Sequence, residues 1–117
     1  MPEWRRLDVS EVGAVTTVHF RDQRISEDPR IEEMGQELYQ LLEGENCTKL
    51  LLNFSSVDFL SSAALGKLIT LDKKARTRGG TLKMSNISPE LSQTFSVTRL
   101  DRLFDIARTE ADALAAF

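Results

Sequence analysis

The run Lys49-Leu50-Leu51-Leu52-Asn53-Phe54 constrains this chain more than any other stretch. It is apolar without alternation and has the length of a strand, the pattern of a strand buried on both faces of a parallel sheet. Parallel neighbours cannot be joined by tight turns, so helices are expected on either side. Before the run, Ile31, Met34, Leu38, Leu41 and Leu42 fall on one helical face. Asp28 is placed to accept from the first-turn amides, and Pro29 fits the first helical position, where its missing N–H costs nothing. Glu32 and Glu33 sit toward the positive end of the dipole, and Gly44 ends the helix. After the run, Leu65, Leu68, Ile69 and Ala75 form a second stripe. Lys67, Lys73, Lys74, Arg76 and Arg78 fill the rest of that helix, with cations gathered toward its C-terminal end, and Gly79-Gly80 stops it.

The remaining segments extend the same plan. Residues 5–9 and 14–20 alternate as strands, with Glu11, Val12 and Gly13 turning the chain into an antiparallel hairpin. The polar stretch 21–30 lacks periodicity and reads as a loop. Residues 81–85 form a short strand. Ser88 and Pro89 open a helix with Leu91, Phe95 and Thr98 facing inward. Residues 102–106 read as a last strand, and Thr109 to Asp112 resembles a capping box opening a helix to Phe117. The order ββαβαβαβα specifies an α/β fold, a single mixed β-sheet covered by helices, its later strands parallel. With no linker or internal repeat in 117 residues, one domain over 1–117 is expected.

Much chemistry is excluded. His19 is the only histidine and lies in a strand, where packing or surface exposure is its ordinary role. No G-x-S-x-G elbow, phosphate-cradling loop or dinucleotide fingerprint is present, so neither a serine enzyme nor a nucleotide switch is favoured. No His/Cys/carboxylate cluster has metal-ligand spacing, and Cys47, the sole cysteine, can form no intramolecular disulfide. No catalytic residue, cofactor or metal is expected. The net charge of −3 argues against nucleic acid as a partner, and the cations from Lys67 to Arg78 read as a solvated helix face. No apolar run reaches membrane-spanning length and the first ten residues lack a signal-peptide core, so a cytoplasmic protein without membrane contact is expected. No exposed apolar stripe is evident, which makes a monomer the expectation.

What is left is the serine pair in Asp58-Phe59-Leu60-Ser61-Ser62-Ala63-Ala64-Leu65-Gly66. It follows the buried strand and precedes a helix, where open α/β sheets meet ligands and partners. Serine is a preferred N-cap, contributing about 1 kcal/mol relative to alanine, and that alone explains its presence. The same position suits a switch. A phosphate adds about −1.5 to −2 units of charge. The helix N-terminus can hold that charge without loss of fold. A partner surface that buried the unmodified serine could not accommodate it.

The stretch from Leu50 to Ile106, with its buried strand, serine motif, helix, Gly79-Gly80, short strand, Ser88-Pro89, helix and "TRLDRLFDI" ending, closely resembles the STAS domain of bacterial anti-sigma factor antagonists. The resemblance covers about residues 12–117. It implies partner switching: the unphosphorylated protein binds an anti-sigma factor that is also a serine kinase, phosphorylation of the motif serine ends the binding, and a serine phosphatase restores it. Matching the family motif residue by residue puts Ser62 on the phosphorylated position, with Ser61 the alternative acceptor. It implies a partner-binding surface of Asn53, Phe59, Ser61, Ser62, Ala63, Gly66, Lys67 and Ser88, with Asn53 beneath it and Pro89 nearby. The chain departs from the family pattern at Asn53 and Ser61, where carboxylates are common, and at the "RDQRISED" segment after the second strand. The alternative function is a STAS scaffold that binds partners independently of phosphorylation, the serines acting only as a cap.

Overall fold

The computed structural model describes residues 4–44 and 47–117. The elements run β1 (Leu7–Val12), β2 (Val15–Phe20), β3 (Arg24–Ile25), α1 (Asp28–Gly44), β4 (Lys49–Asn53), β5 (Phe59–Leu60), α2 (Ser62–Thr77), β6 (Thr81–Ser85), α3 (Pro89–Val97), β7 (Asp105–Ala107) and α4 (Glu110–Ala116). Five strands form one mixed sheet in the order β1-β2-β4-β6-β7, antiparallel only between β1 and β2. The α/β fold, the mixed sheet and its parallel later strands are as the sequence led us to expect.

The run that opened the reading is the sheet's centre. Leu50, Leu51 and Leu52 are all fully buried, because alternate residues point to opposite faces and both faces are covered. On one face Leu50 and Leu52 pack with Val18, Phe20 and Met84 against the apolar stripes of α1, α2 and α3. On the other, Leu51 joins Val15 and Ala113 beneath α4. Burying a leucine side chain is worth roughly 1.5–3 kcal/mol, so this short strand anchors both layers.

Five expectations are corrected. The hairpin turns at Gly13-Ala14, since Glu11 and Val12 pair with Thr16 and Val15. Gly13 supplies the positive φ of 61° that so tight a turn needs. The first strand starts at Leu7 because the N–H groups of Arg5 and Arg6 donate instead to the buried carboxylate of Glu37, at 2.8 and 2.9 Å. Asp28 lies inside the first turn of α1, since Glu27 supplies the carbonyl that Ile31 N–H reaches at 2.9 Å. Pro29 is thus the second helical residue. The segment 102–104 is a turn rather than strand: Arg99 adopts φ 62°, and Phe104 N–H returns to the Leu100 carbonyl at 2.9 Å. Leu100 and Phe104, four residues apart, both turn into the core. Only Asp105–Ala107 is extended.

The fifth correction matters most for the site. The stretch read as a loop at 21–30 contains β3, which pairs in parallel with β5 as a separate two-stranded sheet: Arg24 opposite Phe59, Ile25 opposite Leu60. Ile25 and Leu60 are both buried. Two residues are too few for any periodicity to register, and their burial comes from tertiary packing.

Candidate functional site

The chain leaves β4 through a loop fixed at several points. Phe54 N–H donates to the Ser85 carbonyl of β6 at 3.0 Å, and its buried ring stacks on Phe20 with centroids 4.8 Å apart. Asn53 Oδ1 accepts from Ser55 N–H at 2.8 Å, folding the first bend. Asp58 N–H then donates to Gln23 at 2.8 Å and Ser61 N–H to Ile25 at 3.0 Å. The β3–β5 pair therefore straps the segment before α2 to the segment before α1.

This strap delivers Ser61 to the N-cap of α2. Its backbone is extended (φ −71°, ψ 168°), and its Oγ accepts from Ala64 N–H at 3.2 Å. Ser61 is half-buried with its hydroxyl committed. Ser62 is the first helical residue and is exposed, and its hydroxyl has no hydrogen-bond partner among the described residues. The first two amides of a helix have no intrahelical acceptor, and among the described residues the N–H groups of Ser62 and Ala63 beside that hydroxyl have no partner. The two serines thus divide the labour that the sequence left open: one caps, one is presented.

Exposed Ala63 and Gly66 and half-buried Lys67 continue this surface, since residues four apart on a helix are neighbours: Ser62 with Gly66, Ala63 with Lys67. A Cβ on Gly66 would meet nothing within 4 Å, so this part of the surface is open. Lys67 pairs with Glu32 of α1 at 3.0 Å, while its stem lies over Gly35 so closely that a Cβ there would come 2.9 Å from Lys67 Cδ. Phe59 is 37% exposed, with the Arg24 guanidinium 4.5 Å from its ring centroid. Ser88 caps α3 by accepting from Leu91 N–H at 3.1 Å. Both α2 and α3 pack against β5.

Asn53 is placed elsewhere. Alternation puts its side chain on the Leu51 face, where Nδ2 donates to Glu110 Oε1 of α4 at 3.0 Å. His19, its register partner on β2, reaches the same carboxylate oxygen from Nε2 at 3.2 Å. Asn53 is therefore tied to α4 rather than to the serine pair. The sequence reading missed Gln23, Arg24 and Ile25, which hold and flank the site. The one available signal was Ile25, the lone apolar residue in 21–30.

Among the described residues no group of three His, Cys, Asp or Glu side chains could hold a metal ion. A hollow of about 390 Å³ lined by Glu43, Thr70, Lys73, Lys74, Thr77 and Arg78 lies at the far end of α2 from the serines. Ser62, exposed and without a hydrogen-bond partner among the described residues, stands at the start of α2 just past the strapped segment. The family model described as the STAS domain matches residues 28–113, a span from α1 to α4 that includes the strap's second strand and both serines. The chain belongs to the STAS domain family.

Several solved structures share the fold along almost the whole chain. An anti-sigma-factor antagonist (STAS) domain protein from Planctomyces limnophilus superposes with TM-score 0.83 at 23% identity, covering 94% of this chain and 95% of its own. An anti-sigma factor antagonist from Mycobacterium paratuberculosis gives 0.81 at 23% identity, covering 94% and 91%. The Bacillus cell fate determinant SpoIIAA in its phosphorylated form gives 0.70 at 15% identity, covering 94% and 97%. Among the described residues no helix of this STAS chain is long and apolar enough to cross a membrane.

Proposed function

We propose that this STAS protein is an anti-sigma factor antagonist that works by partner switching, with Ser62 as the switch. The observation that carries the reading is the exposure of Ser62 at the first helical position while Ser61 Oγ is occupied as the cap. The unmodified protein binds an anti-sigma factor that is also a serine kinase, through Phe59, Ser61, Ser62, Ala63, Gly66 and Lys67, with Ser88 at the margin. The kinase transfers the γ-phosphoryl of ATP to Ser62 Oγ, whose proton is lost as ADP leaves. A phosphatase restores Ser62 by hydrolysing the phosphoester with water, releasing inorganic phosphate.

The physics favours a change of binding without a change of fold. The added charge of about −1.5 to −2 sits at the positive end of the α2 dipole, near two amides that have no other acceptor. Inside a partner interface the same dianion would have to be desolvated, which costs several kcal/mol. Asn53, engaged with Glu110, contributes by holding the loop through Ser55 rather than by touching the partner. The test is to incubate the protein with its kinase and ATP and to map the product by mass spectrometry. One phosphate on Ser62 is expected, absent from Ser62→Ala. A phosphate found only on Ser61 or elsewhere overturns the assignment.

A further inference from the structure

The cations on α1, on α2 beside Ser62 and on the segments leading into α1 are not equivalent. Lys67 is paired with Glu32, Arg30 reaches Asp22 and Glu27, and Arg6 reaches Asp22 and Glu33. Arg24 differs: it has no carboxylate within 4.0 Å among the described residues. The acid beside this surface, Asp58, accepts from Gln23 Nε2 instead. Arg24 is exposed, and its guanidinium lies 4.5 Å from the centroid of the Phe59 ring, an arrangement that restrains the plane and leaves the N–H edge free. Phe59 stands three residues before Ser62. The backbones meet one step along, where Ser61 N–H donates to the Ile25 carbonyl at 3.0 Å.

We propose that Arg24, stacked on Phe59, is the intramolecular receptor for a phosphate on Ser62. It rests on the reading that Ser62 is the modified residue. A planar guanidinium pairs with phosphate through two parallel N–H donors, which a lysine cannot do. With the free amides of α2 on one side and Arg24 on the other, the phosphate is held against the strap, and the modified state keeps its own fold. Arg24 is then a positioning residue of the switch, on a segment where the chain departs from the pattern common in its relatives.

The experiment needs neither kinase nor partner. Phosphoserine is installed at position 62 during synthesis, and the phosphate is titrated by phosphorus NMR in the otherwise unmodified protein and in Arg24→Gln. An Arg24 contact favours the dianion, so the second phosphate pKa in Arg24→Gln should lie about 0.3–0.5 unit higher, with Arg24→Lys between. In the protein with Arg24 intact, the Arg24 Nε–Hε resonance should shift on phosphorylation, a readout free of any substitution. Superimposable titrations together with an unmoved Arg24 resonance overturn the proposal. A kinase that ignores Ser62 would instead defeat the functional reading while leaving this result standing, because the phosphate here is placed chemically.

Discussion

Ser61 and Ser62 are one position apart and physically unlike. Removing the Ser61 hydroxyl orphans the Ala64 amide, so Ser61→Ala should lower unfolding stability by about 1 kcal/mol in denaturant titration. Ser62→Ala removes a hydroxyl that no described residue uses and should stay within about 0.5 kcal/mol. Were the two costs reversed, the division between cap and switch would be wrong. Cys47 behaves as its surroundings require: burial pushes the thiol above the ordinary range. The unfolded chain therefore loses the thiol proton at a lower pH than the folded protein. This contribution to stability is intact below the unfolded thiol's pKa and is lost as pH rises through the folded one. Native protein should accordingly resist thiol labelling at neutral pH and react fast in denaturant; fast native labelling would contradict the burial. At this scale the sequence made the serine pair legible through cap chemistry and motif spacing. It could not place Asn53, because which face a strand's last residue takes depends on the register and on α4.

Among the elements, the strap is the piece on which the site's geometry hangs. Ile25 is almost fully buried between the loop and the core, so Ile25→Ala should cost about 2–4 kcal/mol by thermal or chemical unfolding. A cost below 0.5 kcal/mol would mean that β3 is not packed as described. Gly66 gives the opposite sign. It sits in the interior of α2 with open space where a Cβ would go, so Gly66→Ala should stabilise the protein by about 0.5–1 kcal/mol. If Gly66 lies under the bound partner, the same substitution weakens binding, and the two effects separate cleanly in one variant. Long elements were readable because their apolar stripes repeat: α1, α2 and β4 emerge from periodicity alone. The two-residue strands β3 and β5 do not, since pairing across 35 residues leaves no local trace. The misread strand at 102–104 has a similar cause. Leu100 and Phe104 are apolar at helical spacing just after an Arg99 in the left-handed region, and an apolar run alone does not distinguish a packed turn from a strand.

For the molecule as a whole, β4 supplies the core of both layers and sends the chain out at the carboxyl end of the sheet, where Ser62, the β3–β5 strap and the cap of α3 collect. The opposite face at that end is closed by α4 through the Glu110 carboxylate, shared by His19 and Asn53. Ser62 is exposed at this edge while Ser61 and Ser88 cap their helices there, so on the proposed reading a charge added at Ser62 switches binding without unfolding the protein. Calorimetric titration of the proposed anti-sigma kinase partner into unmodified protein and into protein phosphorylated at Ser62 tests this proposal most directly. The account predicts saturable binding to the first and affinity at least about 100-fold weaker for the second, a difference of about 2.7 kcal/mol. Equal affinities for the two forms would contradict it.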